Sequence, residues 1–174
     1  MIHDILLQHE PVSSDENLRV GACGWQHAHW TGDFYPEDLP LDWRLNYYAN
    51  EFPVVLLPER EWKNGQAEWQ SWLDEVEPGF GFYLQYTQPP DARQQIALSK
   101  ALGDHLQGFV GAGAGELDKR AGVALVELST RDMRGWRQWL QQQAGGLRAV
   151  FPCDQYLSYR QLSEFRDLVE MLGL

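Results

Sequence analysis

The stretch Leu18-Arg19-Val20-Gly21-Ala22-Cys23-Gly24-Trp25, continued by Gln26-His27-Ala28-His29-Trp30-Thr31-Gly32-Asp33-Phe34-Tyr35-Pro36 and closed by Leu39-Pro40, decides how the whole chain is read. A short apolar run passes straight into a loop of glycines and aromatics. A strand of a parallel sheet is covered on both faces, so it shows as a brief apolar run, and glycines at its carboxyl end let the backbone turn where a Cβ would clash. Gly24 and Gly32 are therefore expected in conformations that a Cβ disfavours, folding Trp25 and Trp30 back over the sheet.

Working outward, the same signals recur. Leu41, Leu45, Tyr48 and Phe52 fall at helical spacing behind Pro40 and Asp42, which predicts a helix with one apolar stripe. Val54-Val55-Leu56-Leu57 is a second strand, stopped by Pro58, and Trp69, Trp72, Leu73 and Val76 mark a second helix from about Gln66. Phe80 to Tyr86 is a third strand closed by Pro89-Pro90. A third helix is expected from near Asp91 to Phe109, with Leu98, Leu102, Leu106 and Phe109 on one side. Val123 to Val126, with Leu128, is a fourth strand; Ser129 or Thr130 then caps a helix carrying Met133, Trp136 and Leu140. Leu147 to Phe151 is a fifth strand, and the capping box of Ser158 and Gln161 opens a last helix with Leu162, Phe165, Val169 and Leu172 on its stripe. Alternating strands and helices predict an α/β fold, an incomplete or shortened (β/α) barrel of the TIM type with about five parallel units. Closing such a barrel normally takes eight strands, so a five-strand version leaves a seam between strand one and strand five. A homodimer or another protein partner is expected to cover it.

With 174 residues, 44% of them hydrophobic, the chain has the material for one domain, assigned to residues 18–174 behind an amino-terminal arm, residues 1–17. A net charge of −11 repels phosphate backbones and anionic bilayers, so neither nucleic acid nor membrane is an expected partner. Two cysteines, Cys23 and Cys153, are too few for a disulfide framework, and no signal-like start is visible. A cytoplasmic, reducing location is expected. Gly111-Ala112-Gly113-Ala114-Gly115 has the look of a phosphate cradle but follows a predicted helix and lacks the Lys-Ser/Thr pair, so it is set aside.

The order Arg19-Val20-Gly21, Gly24-Trp25, Trp30-x-Gly32-x-Phe34-Tyr35-Pro36 and Leu39-Pro40 resembles the opening of the YecE-like domains, a family with a TIM-barrel fold and no agreed activity. Tyr47-Tyr48-Ala49 with Phe52, then Gly79-Phe80-x-Phe82, and finally Tyr156 extend the resemblance in weaker form. It implies the first part of that barrel, carried by a degenerate member. Where relatives typically read Val-Glu-Ile-Asn-x-Thr-Phe-Tyr, this chain has Val55-Leu56-Leu57-Pro58-Glu59-Arg60-Glu61-Trp62. Gln85 stands for a lysine, Glu127 for a glutamine, Cys23 for a small hydroxyl residue, and Val150-Phe151-Pro152-Cys153 for Glu-Phe-Arg-His. These polar positions close the strands at the end of the barrel where chemistry would sit.

Glu59, Glu61 and Glu127, with His27, are the candidate catalytic groups, since paired carboxylates near strand ends can exchange protons with a substrate. Trp25, Trp30, Trp62 and Gln85 are the candidate ligand-binding residues, although the indoles serve equally as hydrophobic plugs. Cys23, His27, His29 and Cys153 have the chemistry of a zinc set but not its spacing, and buried small cysteines are the simpler expectation, so no metal and no cofactor is assigned. Two functions follow. The first is a non-catalytic binding or assembly module derived from a YecE-like barrel; the alternative is a small hydrolase or transferase with a remodelled carboxylate site at the barrel mouth. A mouth plugged by Trp25, Trp30 and Trp62 favours the first, and a cleft holding carboxylates of raised pKa favours the second.

Overall fold

A computed structural model describes residues 17–63 and 68–174. The arm assigned to residues 1–17 thus lies outside the described residues apart from Asn17. Seven strands form one sheet among the described residues: β1 (Arg19–Cys23), β2 (Val54–Leu57), β3 (Gly81–Gln85), β4 (Leu106–Val110), β5 (Leu117–Asp118), β6 (Val123–Val126) and β7 (Ala149–Pro152). Their order is β4-β3-β2-β1-β7-β6-β5, with every pair parallel except β5 against β6. Helices α1 (Arg44–Glu51), α2 (Glu59–Trp62), α3 (Trp69–Asp74), α4 (Ala92–Leu102), α5 (Met133–Gln143) and α6 (Tyr159–Met171) follow β1, β2, β3, β6 and β7, with α2 and α3 both in the connection after β2.

Side chains alternate across a strand, and here the two sets fill two compartments. Val54, Leu56, Tyr83, Val110, Val123, Leu125, Ala149 and Phe151 pack together as the inner core of a nearly closed, barrel-like sheet. Val20, Ala22, Val55, Leu57, Phe82, Leu84, Ala124, Val126 and Val150 pack with the helix residues Leu45, Tyr48, Leu98, Trp136 and Leu162. Both faces of the sheet are covered, which is why its strands read as continuous apolar runs.

Between β1 and β2 stands a side chain. The buried Tyr48 hydroxyl accepts from the Ala22 N–H at 2.7 Å and donates to the Val54 carbonyl at 2.8 Å. An α1 residue thereby joins the two strands. Gly21 sits at the same point, and no side chain fits there.

Four expectations are corrected. The sheet has seven strands where five were expected, because the stretch assigned to the end of the third helix holds β4 and the turn before β6 adds the two-residue antiparallel edge strand β5. The Asp91–Gln94 capping box opens α4, and Gly103, at φ 54°, ends it. Leu106 and Phe109 keep helical spacing with Leu98 and Leu102 across that break, so the pattern runs on where the helix does not. The seam is also elsewhere. The predicted strands one and five, β1 and β7, pair with each other through Arg19↔Ala149 and Val20↔Val150, and the sheet is open between β4 and β5. Leu41 does not join the buried stripe of α1; it lies on a 3-10 turn, Leu41–Trp43, and is 71% exposed. The cap of α5 is Asp132, which accepts from the Gly135 N–H at 2.8 Å.

Candidate functional site

The carboxyl ends of the parallel strands form the mouth of the barrel, the end where sites are built in folds of this kind. Gly24 leaves β1 at φ 75°, and Gly32 holds φ 80°, as their place in the opening loop requires. Trp25 is turned inward, 2% exposed, with its ring edge-on to Trp72 at 4.9 Å, and its carbonyl accepts from the Tyr35 hydroxyl at 2.6 Å. Trp30 is fully buried and donates its indole N–H to the Leu157 carbonyl at 2.7 Å. Trp62, 5% exposed, donates to the Gln85 carbonyl at 2.8 Å, while the Gln85 side-chain amide donates to the Ala112 carbonyl at 2.9 Å. These four candidate ligand residues tie the mouth loops to one another. Burying an indole is favourable only if its N–H finds an acceptor, and both Trp30 and Trp62 have found one.

The candidate catalytic residues fall into three places. Glu59 accepts from Lys63 Nζ at 2.6 Å and from the Thr87 hydroxyl and N–H. Those bonds, the lysine's first, hold its carboxyl down at about 2. It is ionised throughout the physiological range and fastens α2 to the loop after β3. Glu127 is exposed on the opposite side, bordering a cavity of about 420 Å³ with Glu116, Lys119, Arg131, Trp136 and Trp139. His27 and Glu61 are brought to the same loop. Burial is the main cause that lowers the His27 pKa, with His29 adding to it, whereas main-chain bonds at Cys23 and Gly24 oppose it. Its Nε2 is buried without a hydrogen-bond partner. Glu61 lies across Gly24, close enough that a Cβ there would stand 3.7 Å from a carboxylate oxygen. Burial raises its pKa, and Arg60, with its guanidinium 3.8 Å away, opposes the rise.

A carboxyl whose pKa is raised by folding binds its proton more tightly in the folded chain than in the unfolded one. Its contribution to stability is therefore present at low pH and is lost as pH rises from the ordinary glutamate value through the folded one. Glu61→Gln is expected to raise the denaturation midpoint at pH 7 and to leave it unchanged near pH 4. Denaturant titrations at the two pH values check this.

The cysteines are not buried free thiols, as expected above. Cys23 and Cys153 form a disulfide across the mouth, with Cα atoms 5.6 Å apart. Their separation of 130 residues is the same offset that pairs Arg19 with Ala149, so the bond joins residues that face each other at the ends of β1 and β7. With both sulfurs bonded to each other, the thiolate–imidazole set does not exist as a set. Among the described residues no group of three metal-binding side chains occurs.

The glycine loop also differs from expectation, since it follows a strand, β4. Two of its donors are already used: the Gly111 N–H bonds Asp118 and the Gly113 N–H bonds Glu116, at 2.8 and 2.7 Å. Asp118 accepts from Arg120 and Ala121 as well, knotting the turn before β6. Cavities of about 420 and 680 Å³ flank this turn on the open side of the sheet and share Glu116, Leu117 and Lys119. Sequence patterns missed the place because they missed β4. Its one local signal is Asp118-Lys119-Arg120-Ala121-Gly122, a turn in which an Asp side chain bonds the N–H groups that follow it. At the amino-terminal end of the barrel, Arg19 donates to Gln107 at 2.9 Å and to the Tyr83 hydroxyl at 3.2 Å.

Residues 19–166 match the family model described as protein of unknown function DUF72. A crystal structure of a DUF72 family protein from Thermotoga maritima is similar to the chain at 17% identity and a TM-score of 0.43, covering 74% of this chain and 63% of that one. No curated protein matches the sequence. Among the described residues no helix is long and apolar enough to cross a membrane.

Proposed function

We propose, for a chain that belongs to the DUF72 family, usually called YecE-like, a role as a non-catalytic binding or assembly module in which the family's polar strand ends are replaced. One observation carries it: Trp25, Trp30 and Trp62, the aromatics of the strand-end loops, are all buried in the core between sheet and helices, so none of them is offered to a ligand at the mouth. A reacting group needs a concave space lined by a few converging polar side chains. Here Glu59 is consumed by Lys63 and Thr87, Glu127 stands apart at the open side, and the disulfide spans β1 and β7. The partner of such a module is another polypeptide. A second reading, a small hydrolase or transferase, draws on His27 and Glu61, which border the same glycine.

Chromogenic carboxylic esters, phosphate esters and glycosides, offered to the wild-type chain and to Glu61→Gln and His27→Ala, separate the two. The binding-module reading expects no turnover that either substitution lowers. Turnover that falls by a factor of about ten or more in either variant, within the range of general acid–base effects, overturns it in favour of the enzyme.

A further inference from the structure

Leu41 and Trp43 are 71% and 64% exposed although they stand next to a well-packed helix. The stripe of α1 that meets the core is Leu45, Tyr48 and Phe52, and the 3-10 turn before it aims Trp43 outward. There the indole borders a groove of about 450 Å³ together with Asp42, Asn46, Ser71, Asp74 and Glu75. The lining holds three carboxylates and no cation. Among the described residues none of the three stands within ion-pair distance of a lysine or arginine. Arg44, the nearest basic residue in sequence, is buried, donating to Thr31 and lying over the Tyr35 ring at 4.9 Å. Among the described residues Asp74 accepts a side-chain amide bond, from Gln70 at 3.2 Å. Glu75 has one carboxylate oxygen buried with no hydrogen-bond partner, while its main-chain carbonyl takes the Asn46 amide at 2.8 Å.

An exposed tryptophan rimmed by carboxylates that lack counter-charges is complementary to a group both apolar and cationic. We infer that this groove docks a segment of another protein in which an arginine or lysine stands beside a bulky apolar residue. The cation takes the place among Asp42, Asp74 and Glu75, where a guanidinium can also lie on the indole face; the apolar neighbour covers Leu41 and the rest of Trp43. A free small cation would use the carboxylates and leave Leu41 in water. A second copy of the chain is disfavoured by its own charge of −11, whereas a basic partner is drawn in by it. The inference stands on the groove alone and holds whether or not the mouth proves catalytic.

Calorimetric titration with an acetylated hexapeptide alternating arginine and leucine tests it, with arginine–serine and glutamate–leucine hexapeptides as comparisons. Saturable one-to-one binding of the arginine–leucine peptide is expected, weakened about tenfold or more by Trp43→Ala and by the double change Asp42→Asn with Asp74→Asn, as for central anchors of an interface. All three positions are exposed, so unchanged circular dichroism and thermal midpoints certify the variants. Absence of saturable binding, equal binding of the arginine–serine peptide, or full affinity in Trp43→Ala would each overturn the inference. So would sedimentation showing that the chain associates with itself and that Trp43→Ala abolishes the association, because the occupant would then be a second copy.

Discussion

Reducing the bond between Cys23 and Cys153 is expected to lower the unfolding free energy by about 3–5 kcal/mol. A cross-link removes conformations from the unfolded chain in proportion to the loop it closes, and a loop of more than a hundred residues lies near the upper end of that scale. This bond closes 130 residues, from the first strand of the sheet to the last. In the folded chain it joins positions that the β1–β7 ladder already holds face to face, so little native freedom is lost in making it. Guanidinium titrations with and without dithiothreitol measure the difference, and the Cys23→Ser, Cys153→Ser double variant should unfold like the reduced protein and be indifferent to the reductant. Iodoacetamide applied to the unfolded, unreduced protein should label neither cysteine. Labelling of both, with no effect of dithiothreitol on the midpoint, would show that the ladder alone closes the sheet.

The fold was legible wherever burial on both faces left a continuous apolar run. Val54 to Leu57 and Val123 to Val126 are of that kind, and both are strands. Leu106-Gln107-Gly108-Phe109-Val110 is not, since Gln107 interrupts it to bond Arg19, and its apolar residues continue the spacing of the helix before it. Missing that strand and the short β5 moved the seam, because these two are the strands that border the opening, and the pairing of β1 with β7 becomes conceivable only when enough strands precede β7. The disulfide was illegible for the same reason. Cysteines 130 residues apart say nothing until a ladder sets them opposite each other.

At the mouth, residue identity foretold position better than role. The glycines and tryptophans of the opening loop lie where their chemistry requires, Gly24 at positive φ and Trp25 folded inward. The carboxylates lie near strand ends, yet Glu59 is fixed by a partner four residues on and another across the next loop, which no periodicity reports. Leu41 shows the converse. Its spacing to Leu45 reads as core, and only the turn of the backbone puts it in water.

Gly21→Ala is expected to destabilise the chain by about 3 kcal/mol or to prevent it from folding. Overpacking in a tight core costs roughly 1–3 kcal/mol when side chains can move aside, and more when the obstacle is backbone. A Cβ at Gly21 would lie 2.0 Å from the Val54 carbonyl oxygen and 3.0 Å from the Tyr48 hydroxyl. Neither can retreat without loss. Val54 is a paired residue of β2, and the hydroxyl holds the Ala22 N–H and the Val54 carbonyl together. Relief by moving β2 outward would break the bridge and leave two buried main-chain groups unpaired, each costing about 1–3 kcal/mol. Tyr48→Phe separates the two contributions: it removes the bridge without adding volume, so it should cost less than Gly21→Ala, and the double variant should cost less than the sum because the methyl group gains the space of the lost hydroxyl. Denaturant midpoints of the three variants provide the cycle. A Gly21→Ala protein as stable as wild type would mean that β1 and β2 do not approach as closely as the hydroxyl bridge requires.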